Sequence, residues 1–313
     1  MCWRSTESSE PTIPSTIEKH PVDMISIHQI HINVLEKLGS PQMLSDFKSE
    51  QFSSISSFRV EDVSITIDDC SALNSLFKII PITVIEVHNI TFEKDCCLSL
   101  LFRAISNCTM LKRLVLSSIK TKSGDRSQFD ADLTESFDFC SPIAKSIQEL
   151  YLIDLNMSKS IKTFSSKFLK HATSLKELCL NNNPIGKHLT GKFGKNLPIS
   201  LNHLMLDNCE LNNMGLWAKK HFKKGIETLE YLFGIELSSN DLTDIKLLPL
   251  LPSIPKSKNL KLSFIDMSKN KWKQKDLISF VEKVKDSPSL AIALHGCERP
   301  TSVKRCPNVS WVE

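Results

Sequence analysis

One twelve-residue stretch constrains this chain more than any other. From Ser174 to Ile185 it reads Ser-Leu-Lys-Glu-Leu-Cys-Leu-Asn-Asn-Asn-Pro-Ile, placing Leu175, Leu178, Leu180, Asn183 and Ile185 in the spacing L-x-x-L-x-L-x-x-N-x-I. Side chains two apart on a strand share a face, so Leu178 and Leu180 point inward together. Asn183 offers an amide to the backbone of the bend that follows, and Ile185 closes that bend from inside. So short a unit buries little on its own and needs neighbours built the same way.

The neighbours are present. Leu201, Leu204, Leu206, Cys209 and Leu211 repeat the spacing. So do Leu232, Ile235, Leu237, Asn240 and Leu242, and then Leu262, Ile265, Met267, Asn270 and Trp272. Upstream, Ile147, Leu150, Leu152 and Met157 fit with Leu155 in the asparagine place, and Leu111, Leu114, Leu116 and Ile119 fit more loosely. Ile82, Ile85, Val87, Ile90 and Phe92 fit again. Ile65, Ile67 and Cys70 read as a front copy, and Ile292, Leu294 and Cys297 as a last one. The second inward residue then falls at 67, 87, 116, 152, 180, 206, 237, 267 and 294. From 152 onward the period is roughly 28 residues, the mark of a leucine-rich repeat array.

Between these units the period changes to that of a helix. Ile161, Phe164, Phe168 and Leu169 recur at three to four residues, as do Leu277, Val281 and Val284, while Met214, Trp217 and Phe222 mark another helix. The expected fold is an α/β leucine-rich repeat solenoid, a horseshoe with parallel strands inside and helices outside. Residues 1–20, with Pro11 and Pro14, read as a flexible tail. Residues 21–59 read as a degenerate first repeat or N-terminal cap, in which 25–32 (Ile-Ser-Ile-His-Gln-Ile-His-Ile) repeat the strand-and-turn spacing and Val34–Phe47 is partly helical, broken at Gly39 and Pro41. Residues 60–298 are the repeats, and 299–313 a C-terminal cap that adds a short closing strand.

Two connections stand apart. Thr121 to Ser141 carries Asp125, Asp130, Asp132, Glu135 and Asp138 without the order or central glycine of a calcium loop, and reads as a solvated insertion or a helix start. Pro249, Pro252 and Pro255 exclude a regular helix from Leu247 to Pro255.

Composition narrows function by exclusion. A net charge of +4 does not point to nucleic acid. The ten cysteines show no C-x-x-C pair, and Cys70, Cys209 and Cys297 take the asparagine place of their repeats, so reduced, structural thiols are expected. No phosphate loop, nucleophile elbow or paired metal motif occurs, so neither catalysis nor a cofactor or metal is expected. His28 and His31, three apart in a strand-like run, would face opposite ways, and His88, His203 and His295 read as surface residues. The N-terminus has no apolar run of a signal peptide and no stretch reaches a membrane span, so the sequons at Asn89, Asn107, Asn156 and Asn308 are set aside. A cytoplasmic monomer is expected.

The stretches LKELCLNNNPI and LNHLMLDNCEL resemble the ribonuclease-inhibitor-like class of leucine-rich repeats, over about residues 60–297. The stretch LSFIDMSKNKWKQKDLISFVEKVKDSPSL, with its Asp-x-Ser-x-Asn turn, resembles repeats of the CARMIL family, cytoskeletal scaffolds that regulate actin capping protein. The match lies in that family's repeats and not in its membrane-binding domain or capping-protein motif, so it implies the platform alone. Similar repeats also occur in Ran GTPase activators. Regulation of a small GTPase or of actin assembly is therefore the alternative to passive scaffolding.

The informative side chains are those flanking the inward leucines, because adjacent strands bring them onto one surface. Glu149, Glu177, Asp207, Glu236 and Asp266 make that surface acidic, opposed by Arg113 and His203, while Tyr151, Ile153, Met205 and Phe264 add apolar area. Apolar side chains rimmed by carboxylates are the make-up of a protein-binding patch. The expected contact residues are Glu149, Tyr151, Ile153, Glu177, Met205, Asp207, Glu236 and Asp266, meeting a basic protein partner. Lys219, Lys220, Lys223 and Lys224, with Lys271, Lys273 and Lys275, read as lying on the outer helices, as a solvated face. A weak contact of Lys219–Lys224 with an acidic membrane surface or an acidic protein is the lesser expectation.

Overall fold

The computed structural model describes residues 24–243, 262–285, 289–303 and 306–311. The expected tail at 1–20 and the proline-rich Leu247–Pro255 segment lie outside them. The first half runs α1 (Met24–Leu38), α2 (Pro41–Lys48), β1 (Ser57–Glu61), β2 (Ser64–Ile65), α3 (Ile67–Leu76), β3 (Val84–His88), β4 (Thr91–Phe92) and α4 (Cys97–Ser106). It continues with β5 (Arg113–Ser117), β6 (Lys120–Thr121), α5 (Arg126–Phe139), α6 (Ser141–Ala144) and β7 (Glu149–Ile153). The second half runs α7 (Ile161–Thr163), β8 (Glu177–Cys179), α8 (Gly191–Lys195), β9 (His203–Met205), α9 (Leu216–Glu227) and β10 (Gly234–Glu236). Then follow β11 (Phe264–Asp266), α10 (Gln274–Val284), β12 (Ala291–Ala293) and β13 (Val309–Ser310).

Ten of these strands form one all-parallel sheet in the order β1-β3-β5-β7-β8-β9-β10-β11-β12-β13. Neighbours in the sheet follow one another along the chain, and among the described residues helices stand between most of them, which is the α/β solenoid expected from the spacing. The register aligns Leu150, Leu178, Leu204, Ile235, Ile265 and Ile292 in one row. All six are buried. Phenylalanines fill the space between sheet and helices, with Phe102, Phe137, Phe164 and Phe168 in successive ring contact.

The bend after each strand is closed in two ways. In the first three repeats Val63, Ile90 and Ile119 occupy the asparagine place, and β2, β4 and β6 form a second small parallel sheet there. In the later repeats an asparagine amide replaces that sheet. The Oδ1 of Asn183 accepts from the N–H groups of Leu155 and Met157 (3.0 and 2.9 Å), and its Nδ2 donates to the carbonyls of Leu152 and Leu180 (2.8 and 2.9 Å). Asn240 serves Cys209 and Leu211 in the same manner, and Asn270 serves Asn240 and Leu242. The amide thus reaches back to the preceding bend as well as its own.

A second periodic feature accompanies it. Asp62, Asn89, Ser118, Asp154, Asn182, Asn208, Ser239, Lys269 and Gly296 occupy one position of successive repeats, with φ between 46° and 65°. Asn, Asp and Gly tolerate this left-handed region best. The first eight each donate their N–H to a carbonyl of the following repeat at 2.8–3.2 Å.

Three expectations are corrected. Residues 25–32 belong to α1 rather than to a strand and turn. His31, Val34, Leu35 and Leu38 are buried at helical spacing, while Ile27 and Ile30 are exposed. His28 and His31 consequently share a face against Phe47, His28 stacked on its ring at 5.0 Å and His31 edge-on at 5.8 Å between centroids. The helix does stop at Gly39, where Ser40 caps α2 ahead of Pro41.

The front copy is also shifted. Its strand is β1, with Phe58 and Val60 inward, and Thr66 and Asp69 form a capping box that starts α3 at Ile67. Val60 pairs with Val87, so the first step is 60 to 87, close to the general period. Cys70 accordingly sits in α3, where its thiol donates to the Cys97 carbonyl. Cys209 and Cys297 do lie in bends and donate to nearby carbonyls.

Thr121–Ser141 holds the start of a helix, one of the two readings expected of it, with Asp125 capping α5. The third correction is that Asp130 is not solvated but buried, accepting from the backbone N–H groups of Ser158, Lys159 and Ser160 and from the hydroxyls of Ser158 and Ser160. Burial alone would raise its pKa. The bonds from Ser160 and Ser158 outweigh burial and hold the carboxyl below its ordinary range.

Downstream, Ile161, Phe164, Phe168 and Leu169 are buried as their spacing implies, yet 161–171 break into an α turn, a widened π turn and a 3-10 turn. Ser165 and Ser166 take the carbonyls of Ile161 and Lys162 with their hydroxyls, a bond that bends helices.

Asn240→Leu installs at this bend the residue type that occupies the same place at Leu155. It is expected to cost about 3 kcal/mol or more, because buried donors and acceptors are stranded. Asn213→Ala, at an exposed position, should change stability by under about 0.5 kcal/mol. Urea unfolding measures both, and equal losses would contradict the amide's role.

Candidate protein-binding surface

The outward residues of the main sheet form three columns across the repeats. The central column reads Arg59, Glu86, Val115, Tyr151, Cys179, Met205, Glu236, Asp266 and Ala293. Tyr151 and Met205 are half-buried with Cys179 registered between them. Val115 and Cys179 are themselves buried, at 5% and 2% exposure, so the reachable apolar side chains around them are Tyr151, Met205 and, one column over, Ile153, with Phe264 half-buried further along on β11.

The five expected carboxylates are on this face, and each has a partner within the chain. Arg113 bridges Glu86 (3.0 Å) and Glu149, and its guanidinium lies over the Tyr151 ring at 4.9 Å. The Tyr151 hydroxyl donates to Glu177. Burial and this carboxylate raise the phenol's pKa, so it stays a donor. Asp207 accepts from the Ser238 N–H (2.7 Å) and from the Asn181 amide (3.1 Å). His203 Nε2 lies 2.9 Å from Glu236 Oε1, and Asp266 accepts from the Ser238-equivalent N–H, that of Ser268, at 2.8 Å.

All eight expected contact residues therefore share the concave surface, spread over β7 to β11. Sequence reasoning missed Arg59, which lies 3.6 Å from Glu86 and extends the charge chain to β1. It also missed the exposed apolar side chains just before β9 and β10, namely Ile199, Tyr231 and Phe233 at 71%, 54% and 57% exposure. Their signal was an apolar residue beside the first patterned position, Leu201 or Leu232, which the repeat spacing does not cover.

The charges on this face are coupled. Burial, with Glu236 and Asp266 nearby, pushes the Asp207 carboxyl up to about 6 against the pull of the Ser238 N–H. Glu236 raises His203 above its ordinary value and is itself lowered, first by its bond with His203.

No family model matches this chain, and no curated protein matches it in sequence. Among solved structures it is similar to internalin C2 from Listeria monocytogenes, at 13% identity and a TM-score of 0.38 over 89% of this chain and 96% of that one. It is also similar to the Rad7 and Elc1 complex in yeast, at 10% identity and a TM-score of 0.31 over 92% of each chain. The fold assignment rests on the chain's own strand register.

Both raised groups act in one direction. Asp207 binds its proton more tightly folded than unfolded, so stability falls as pH rises from about 4 to 6. The stability from His203 is complete below about 6.5 and is lost as pH rises through the folded value. The thermal midpoint should therefore drop as pH rises from about 6.5 in the wild type, and this drop should shrink in His203→Gln. Superimposable pH profiles would contradict the pairing.

Proposed function

We propose that the chain is a non-catalytic protein-interaction platform whose concave face takes a partner at Tyr151, Ile153 and Met205. The observation that supports this is their register. Parallel strands about 4.8 Å apart place Tyr151 and Met205 two strands from one another, with carboxylates on both flanks. Half-buried apolar side chains inside a polar rim suit the anchors of an interface.

From Val84 to Ser268 the face carries Glu86, Glu149, Glu177, Asp207, Glu236 and Asp266 against Arg113 and His203. That excess of negative charge favours a basic partner and speeds its approach. The internal partners give the carboxylates a further role. Arg113, Tyr151 and His203 hold them in place, so little side-chain freedom remains to be lost on binding.

A pull-down from a lysate of the source cells, comparing wild type with a Tyr151→Ala/Met205→Ala/Glu177→Lys variant, tests the reading. The variant should keep its circular dichroism spectrum and lose one captured protein, with affinity for it reduced at least about tenfold. Retention of the same set by the folded variant would remove the concave face from consideration.

A further inference from the structure

The outer surface around α8 and α9 has a different character from the concave face. Residues 158–228 hold twelve lysines and four carboxylates, and two of those four, Glu177 and Asp207, belong to the concave side. Within this basic field two large apolar side chains stand adjacent and outward at the start of α9. Leu216 is 85% exposed and Trp217 57%. Lys220 and Lys224 follow at helical spacing on the same exposed face, three to eight residues on.

This arrangement is rigid. A Cβ at Gly194 would lie 2.3 Å from the His221 carbonyl oxygen, and one at Gly225 2.0 Å from that of Gly194, so the two helices meet backbone to backbone. The Trp217 ring rests against Gly191, with the His221 ring 4.2 Å away and the Lys195 ammonium 5.8 Å from its centre. Lys192 and Lys195 of α8 thus border the same apolar pair.

We propose that this convex surface docks on an anionic lipid bilayer, with Leu216 and Trp217 entering the interface and Lys192, Lys195, Lys220 and Lys224 facing the head groups. Charge is complementary, because anionic leaflets attract clustered lysines. Shape is too, since a protruding apolar pair on a convex basic face is accepted by a flat, deformable interface. Tryptophan favours the membrane–water boundary through its amphipathic ring. Docking through the outer helices leaves the concave sheet open to a partner, so the two surfaces are independent.

The test is sedimentation of the full chain with phosphatidylcholine vesicles, with and without phosphatidylserine. Binding is expected only with phosphatidylserine, accompanied by a blue shift of tryptophan emission that is absent in Trp217→Phe. Leu216→Ser/Trp217→Ser should bind at least about tenfold more weakly. Lys220→Glu/Lys224→Glu should lose about fivefold or more per residue. Both variants alter exposed side chains and should keep the wild-type circular dichroism spectrum. Failure to sediment, or sedimentation unchanged in the Leu216/Trp217 variant, would overturn the proposal. So would release by inorganic phosphate at the head-group concentration, or equally tight capture of polyglutamate, since either assigns the patch to a soluble anion.

Discussion

The fold turns on how the bend after each strand is satisfied. A strand feeding a helix within a few residues leaves backbone donors and acceptors inside the solenoid, where water does not reach them. Such groups are costly when unpaired. Asn183, Asn240 and Asn270 answer this with one buried amide each, accepting two N–H groups of the preceding bend and donating to carbonyls of both. In the first three repeats aliphatic residues fill the same place and a second ladder of main-chain bonds takes over. The two solutions meet at the fourth repeat, where Leu155 occupies the place and Asn183 of the next repeat supplies the amide.

Everything on the surface inherits that register. Because the strands are parallel and aligned residue for residue, an outward side chain meets its counterparts one repeat away on either side. Arg113 can bridge Glu86 and Glu149 only because the three are column neighbours or nearly so. The same logic separates the charges by face. Carboxylates collect on the sheet and lysines on the helices of the middle repeats, so a chain of mild net charge presents two surfaces of opposite sign.

Much of this was legible in the sequence. The spacing around Leu178, Leu204 and Ile235 marked the strands and put the flanking residues on the outward face of the sheet, since period-two alternation with an asparagine or cysteine three residues on leaves little choice. Legibility failed where local chemistry mimics the pattern. Ile25, Ile27, Ile30 and Ile32 satisfy strand and helix spacing alike, and the buried stripe of His31, Val34, Leu35 and Leu38 decided for the helix. Ile65 and Ile67 looked like a main-sheet strand, but Ile65 lies in β2 of the small sheet and Ile67 starts α3 behind the Thr66–Asp69 capping box, which was not recognised. The internal pairing of the carboxylates was invisible for another reason. Tyr151 with Glu177, and His203 with Glu236, are separated by about a full repeat, and only the register shows that they touch.

The most direct measurement is native-state hydrogen exchange at the bends. The account predicts that the amides of Leu155, Met157, Cys209, Leu211 and Leu242, whose N–H groups end on asparagine side chains, are protected as strongly as those of β7 to β11. Exchange of these amides at the rate of exposed loops, with the strands still protected, would contradict it.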